Sequence, residues 1–337
     1  MNVRRPGRVP VRAAPVRGRC GLPVRGGAAR VVKTGPDGHD ATTGREPMTR
    51  PITAGVDGTD ESLAALAWAA REAVRRDAPL RVVHAWHFQT RQGVDAGDRA
   101  AQERWVRESV AAAVRTVAER HPNLRTDIGV REGDAPAVLL EEAAAAGTLV
   151  LGSRGHGALV GFLLGSVGRQ VIAGSERPVV LVRAGDRADA EAGGREVVVG
   201  QQGEPQDSAD ALGFAFEAAA ARGATVRAVR AWTLPPVFAY SPGSMRLLDE
   251  AGGLEPYERT ALSEALEPWR KRFPEVPVVE HVEMGSAGQV LLSVADGAQL
   301  VVVGRRARRT AVGARIGSVA HGVLHHAPCP VAVVPHA

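Results

Sequence analysis

The chain repeats itself, and that constrains its fold more than any other feature of the 337 residues. From Pro122 onward, matching residues recur at a constant offset of 152: Pro122 with Pro274, Gly133 with Gly285, Leu139 with Leu291, Gly152 with Gly304, Gly165 with Gly317, and Pro178 with Pro330. Trp86 and Trp232 are separated by only 146, so six extra residues enter the second half, in the loop-like stretch from Leu234 to Gly243. A duplication of this length predicts two homologous domains, so one architecture must satisfy both halves.

Each half alternates short apolar runs with segments of helical period. Pro51 to Val56 reads as a buried strand, and Leu63, Leu66, Ala70, Ala73 and Val74 mark the apolar side of a helix that starts at Thr59 to Ser62. Arg71, Glu72, Arg75 and Arg76 are expected on its opposite side. Leu80 to Trp86 is a second strand, and residues 98–120 form an amphipathic helix through Trp105, Val106, Val110, Val114 and Val117. A more exposed strand follows at Thr126 to Val130, then a helix from Ala137 to Ala146, a strand ending at Gly152, a helix over 166–175 and a last strand over 178–183. Strands alternating with helices require right-handed parallel crossovers, so each half is expected to be a doubly wound α/β domain on a five-stranded parallel sheet. The domains are placed at 48–183 and 195–337, joined by a small-residue linker at 184–194. Residues 1–47 are rich in Arg, Pro and Gly, lack a sustained period and are read as a disordered basic tail, with Met48 a plausible true start.

The richest stretch for chemistry is Leu149-Val150-Leu151-Gly152-Ser153-Arg154-Gly155-His156-Gly157, continuing to Gly165-Ser166. An apolar strand stops at Gly152, a glycine-rich loop follows, and a helix begins at Ser166. Glycines allow close backbone approach, and the N–H groups of a helix start favour an anion, so the stretch reads as a phosphate cradle or, more plainly, as a glycine-rich turn. It is neither a Walker A loop nor G-x-G-x-x-G, and Gly152-Ser153-Arg154-Gly155 is not a nucleophile elbow. The spacing is G-x2-G-x9-G-S over Gly152, Gly155, Gly165 and Ser166. In a doubly wound sheet a ligand sits where strand order reverses, and there Asp57, at the end of the first strand, is expected to meet Gly152.

That motif, in its strand–loop–helix setting, resembles the nucleotide-binding signature of the universal stress protein family, in its ATP-binding branch and tandem-domain form. The resemblance covers residues 50–183 and, less closely, 195–337. It implies a flavodoxin-like or adenine-nucleotide α-hydrolase-like fold and ATP, as Mg-ATP, as ligand. Asp57 and the backbone of Ala85 would face adenine, Gly152 the ribose, and Gly155, Gly165 and Ser166 the phosphates. It also implies that the final strands of the halves, 178–183 and 330–335, pair within one chain, with a homo-oligomer as a further option. The function expected is regulatory nucleotide binding in a stress response. A slow ATPase or another adenine-nucleotide-dependent enzyme is the alternative, without a catalytic residue to name.

The second half departs from the motif. Gln202 stands at the position of Asp57 and Ala307 at that of Gly155, although Gly304, Gly317 and Ser318 remain. Ala307 is expected to be strained if its backbone needs a positive φ, and Arg305, Arg306, Arg308 and Arg309 are candidates for a phosphate clamp or a solvated basic loop. A second, weaker site at Gly304, Gly317 and Ser318 is therefore expected. His321, His325 and His326 read as helix-end histidines favoured by the dipole over a metal set, and His156 as either a phosphate contact or a surface residue.

Charge narrows the partners. The net charge of +5 comes from residues 1–47, where ten basic residues face three acidic ones; the rest holds 32 basic and 34 acidic residues. A nucleic-acid-binding domain is thereby disfavoured. Two cysteines, Cys20 and Cys329, exclude a disulfide framework, and no apolar run is long enough to span a membrane, so a cytoplasmic setting is expected.

Overall fold

The computed structural model describes residues 50–88, 96–153, 165–184, 196–234, 253–307 and 316–336. The readings placed on residues 1–47, on Met48, on Gly155 and His156, on Arg308 and Arg309, and on nearly all of the linker and the insertion lie outside the described residues.

The first half runs β1 (Ile52–Gly55), α1 (Asp60–Arg75), β2 (Leu80–Trp86), α2 (Ala96–Arg120), β3 (Thr126–Glu132), α3 (Ala135–Ala145), β4 (Thr148–Ser153), α4 (Ser166–Gly174) and β5 (Val179–Arg183). The second runs β6 (Glu196–Gly200), a short 3-10 turn (Pro205–Ser208), α5 (Ala209–Ala220), β7 (Thr225–Trp232), α6 (Glu255–Arg272), β8 (Val278–Met284), α7 (Ala287–Ser293), β9 (Ala298–Arg306), α8 (Ser318–His326) and β10 (Val331–His336). The repeat holds at the level of backbone angles. Asp77, at φ 46°, and Gly223, at φ 61°, occupy the same left-handed position after α1 and α5.

All ten strands form one sheet, in the order β3-β2-β1-β4-β5-β10-β9-β6-β7-β8. Within each half every pairing is parallel, as βαβ crossovers require, and the strand order is 3-2-1-4-5. This is the order of the first five Rossmann strands, not the 2-1-3-4-5 of flavodoxin, and it puts the reversal between β1 and β4. The two final strands pair as expected, antiparallel, with Val331 opposite Leu181 and Val333 opposite Val179. That pairing buries the apolar edge each half would otherwise expose.

Side chains alternate across the sheet and feed two cores, each continuous across both halves. Ile52, Ala54 and Val150 join the layer under α1, α2, α5 and α6, while Leu149 and Leu151 join the layer under α3, α4, α7 and α8.

Helices α1 and α2 differ from expectation: Leu63 and Val74, read as part of the apolar side of α1, are exposed. Trp105, read as part of the apolar side of α2, is 67% exposed, while Val106, Val110 and Val117 are buried. Glu72, read as solvent-facing, is buried, because the second half covers that face of α1. Its carboxylate accepts from Arg76 Nε at 2.6 Å within the same helix and from Arg222 at 2.6 Å across the seam. Arg222 stacks over Trp68 at 5.6 Å, and its counterpart Arg76 lies over Phe214, the counterpart of Trp68, at 5.2 Å. Burial alone pushes the Glu72 carboxyl up, but Arg222 and Arg76 more than offset this and hold it below the usual carboxylate range.

A second pair of arginines crosses the seam. Arg183 of β5 donates to the Ala327 and Leu324 carbonyls at the end of α8, and Arg305 of β9 donates to the Ser175 carbonyl at the end of α4. Each guanidinium meets the negative end of a helix dipole in the other half.

Candidate functional site

The crevice at the first strand reversal is built by β1 and β4, which run side by side with Gly55 opposite Leu151 and then part. Asp57 lies two residues past β1. Its Oδ1 accepts from Thr59 N–H at 3.1 Å and from Thr59 Oγ1 at 2.6 Å. Thr59 in turn caps α1, its Oγ1 accepting from Ser62 N–H at 3.3 Å. The carboxylate is thus fixed by a turn, exposed at the crevice, without itself being the helix cap.

Gly152, next to last in β4, lies under this turn. A Cβ there would stand 2.6 Å from the Glu61 carbonyl carbon and 2.7 Å from Ser62 nitrogen, both backbone atoms. The first turn of α1 therefore needs a glycine at 152 for its own packing, apart from any ligand. Gly165 is different. A Cβ there would meet nothing within 4 Å among the described residues, and its φ of −56° makes no demand for glycine. It is the N-cap of α4 and, as glycine, offers no side-chain cap, and the first turn of α4 lines the crevice through Ser166, Val167 and Gly168.

Asp57, Ala85, Gly152, Gly165 and Ser166 together line one cavity of about 210 Å³. Gly155, expected beside them, falls outside the described residues. The cavity also has an apolar wall that the motif does not contain, made by Val83, Leu139, Leu151 and Val167. Its signal in the sequence is the period-2 alternation that sends Val83 and Ala85 to the same face of β2. His84 points to the other face, beside Asp57. Burial pushes its pKa down, against the opposing pull of Val56 and Asp57, which favours the neutral ring.

The second reversal repeats the backbone with different contents. Ser208 Oγ accepts from Gln202 N–H at 3.0 Å, as Ser62 Oγ does from Asp57 N–H at 3.3 Å, so the turn survives without the carboxylate. The cavity is about 90 Å³ and is lined by Gly304, Arg306 and His336, whose ring would lie 3.2 Å from a Cβ at Gly304. Gly317 and Ser318 begin α8, again without a side-chain cap. Two expectations are corrected here. Ala307 does not have a positive φ, so no backbone strain falls on it. Arg305 is no phosphate clamp: it is 4% exposed and turned into the seam toward Ser175, where burial lowers its pKa.

The rings of His321 and His325 lie with centroids 4.3 Å apart and tilted by 53°, and His325 and His326 occupy the last turn of α8. Among the described residues no group of three or more His, Cys, Asp or Glu side chains is arranged to hold a metal ion. No helix among them is long and apolar enough to cross a membrane.

The sequence pattern of the universal stress protein family matches residues 48–183 and again 195–335. A universal stress protein of Mycolicibacterium smegmatis is 33% identical over 303 residues, covering 84% of this chain and 96% of that protein. Among solved structures, a universal stress protein from Archaeoglobus fulgidus superposes with a TM-score of 0.63 at 15% identity, covering 86% of this chain and 99% of the other. Another, from the same organism in complex with dAMP, is 24% identical and covers 40% of this chain and 98% of its own, with a TM-score of 0.31. Two matching segments, a doubly wound fold in each half and a relative aligned over most of both chains lead to one conclusion: the protein belongs to the universal stress protein family, carrying its domain twice in tandem.

Proposed function

We propose that the protein is an ATP-binding regulator of the stress-response type, holding Mg-ATP mainly in its first half. The observation that carries this reading is the convergence of Asp57, Ala85, Gly152, Gly165 and Ser166 on one cavity at the strand reversal. Each end of that cavity suits one end of the ligand. The apolar wall with Asp57 at its rim suits a purine, which offers flat apolar faces and N–H donors. The start of α4 at Gly165 and Ser166, where no described residue crowds Gly165, suits phosphate oxygens. Ser166 would add a hydroxyl to the phosphates or to the shell of a bound Mg²⁺. In the second half Gln202 removes the acidic acceptor and the cavity is less than half as large, so a weaker site is expected there.

The test is mass spectrometry of ligand released from protein purified without added nucleotide, followed by calorimetric titration with Mg-ATP. An adenine nucleotide in the first measurement and one tight site per chain in the second are expected. No released nucleotide together with no heat of binding would remove ATP as the ligand. Two equal sites would remove the assignment to the first half.

A further inference from the structure

A cavity of about 740 Å³ lies on the other face of the sheet, between α1 and α2 of the first half. Its walls are Leu66, Ala70, Val106, Val110, Ala113 and Val117. The second half shows what this fold does when the same space is closed. Phe216 stands at the position of Ala70, Leu262 at that of Val110, Trp269 at that of Val117 and Phe273 at that of His121. Phe216 packs on Trp269 and Phe273, with centroids 6.2 and 5.9 Å away, and Trp269 lies against Gly213. Every one of these exchanges puts the smaller side chain in the first half.

The two ends differ in the same sense. At the end near the sheet's carboxyl edge, the second half closes the gap with an Arg230–Glu258 ion pair at 2.5 Å. The first half has His84 and Val106 there, both facing the cavity. At the opposite end the second half sets Arg272 3.6 Å from Glu217. The first half has Arg120 and Arg71 at these positions, with His121 beside them, so an arginine stands where the second half has its glutamate. Asp57, at the far end, is the one acidic side chain among the described residues that line the cavity. Trp105 and Leu63, 67% and 40% exposed, lie at the rim.

We propose that the α1/α2 cavity of the first half is a ligand site for an elongated apolar molecule with a carboxylate head, of the fatty-acid class. The apolar body lies along Leu66, Ala70, Val110 and Val117, and the carboxylate meets the end where Arg120 and His121 line the cavity. The volume falls within the range of small-molecule sites, and a mostly apolar lining with a few convergent polar groups is their usual composition. The site lies on the opposite face of the sheet from the crevice of Gly152 and Ser166, and the two adjoin at Val56 and Asp57, which line both.

The test is calorimetric titration of the full chain with sodium decanoate and, separately, with decyltrimethylammonium. Decanoate should saturate one site per chain and bind at least about tenfold more tightly than the cation. Ala70→Phe with Val117→Trp, which imports the second half's aromatic side chains, should weaken decanoate about tenfold or more while leaving Mg-ATP titration unchanged. Arg120→Glu, at an exposed position that leaves the core intact, should weaken decanoate about fivefold and the cation not at all, and it tests the proposal even if the filled variant misfolds. No saturable binding of decanoate, equal binding of the cation, decanoate binding retained by a folded Ala70→Phe/Val117→Trp variant, or no effect of Arg120→Glu would each overturn the proposal.

Discussion

The two strand reversals of this sheet share a backbone and differ in what fills them. In the first, Gly152 supports the opening turn of α1 and leaves a cavity of about 210 Å³ under Asp57. In the second, Gly304 faces the ring of His336, Arg305 is withdrawn into the seam, and about 90 Å³ remains. The same glycine is thus kept for two different reasons, one a close backbone approach and the other only a side-chain neighbour. A shared motif residue does not by itself mean a shared ligand, since the local packing can account for either copy.

The largest effect that would sharpen this comparison lies at the seam, where the halves are most unequal. Glu72→Ala leaves Arg222 and Arg76 buried without their carboxylate, and should cost about 3–5 kcal/mol in denaturant unfolding. A loss below about 1 kcal/mol would mean the seam does not depend on this pair. The same pair sets a pH dependence. The Glu72 carboxyl is held below its unfolded value, so its contribution is complete above the unfolded carboxylate pKa and is lost as pH falls through the lower folded one. Wild-type stability should therefore fall on acidification more steeply than that of Glu72→Gln, as read by urea midpoints down an acid series.

Next in size is the glycine contrast. Gly152→Val drives a side chain into the backbone of Glu61 and Ser62 and should cost roughly 1–3 kcal/mol. Gly304→Val meets only the His336 ring and should cost less than about 1 kcal/mol. Equal shifts in melting temperature would break the distinction between the two positions. In nucleotide affinity, Asp57→Ala should weaken Mg-ATP by roughly ten- to a hundredfold, the range expected for a lost hydrogen bond to a charged group. Gln202→Ala should leave the tight site as it was, and the reverse pattern in calorimetry would place the working site in the second half. The smallest effect belongs to His336→Ala, which clears the ring from Gly304 and should strengthen weak second-site binding by only about twofold to fivefold.

Much of this was legible in the sequence, because it rests on short-range pattern. Alternating apolar runs located the strands, Thr59 and Ser62 marked the start of α1, and the spacing of Gly152 and Gly165 pointed to the crevice that the fold then assembled. What could not be read depends on residues far away in the chain. Glu72 sits on a face of α1 that the helical period assigns to solvent, and only the arrival of Arg222, 150 residues later, makes it interior. Trp105 satisfies the apolar period of α2, yet the layer beneath is closed by Val106, Val110 and Val117. Arg305 looked like part of a basic loop because composition gives no direction to a side chain, and its partner is the carbonyl of Ser175 in the other half.

The shared carboxylate at the seam has a consequence for how such a chain can change over generations. In a symmetric dimer of identical subunits, every residue near the axis appears twice, so a glutamate beside the paired arginines is present in both copies or in neither. Here Glu72 stands on one side, and Ala218 stands at the matching place on the other. That arrangement is closed to identical subunits and open to a gene that carries both copies in one reading frame, where each can drift alone. Once covalently joined, one copy can keep its contacts while the other exchanges small side chains for aromatic ones, and selection can give the two halves separate work.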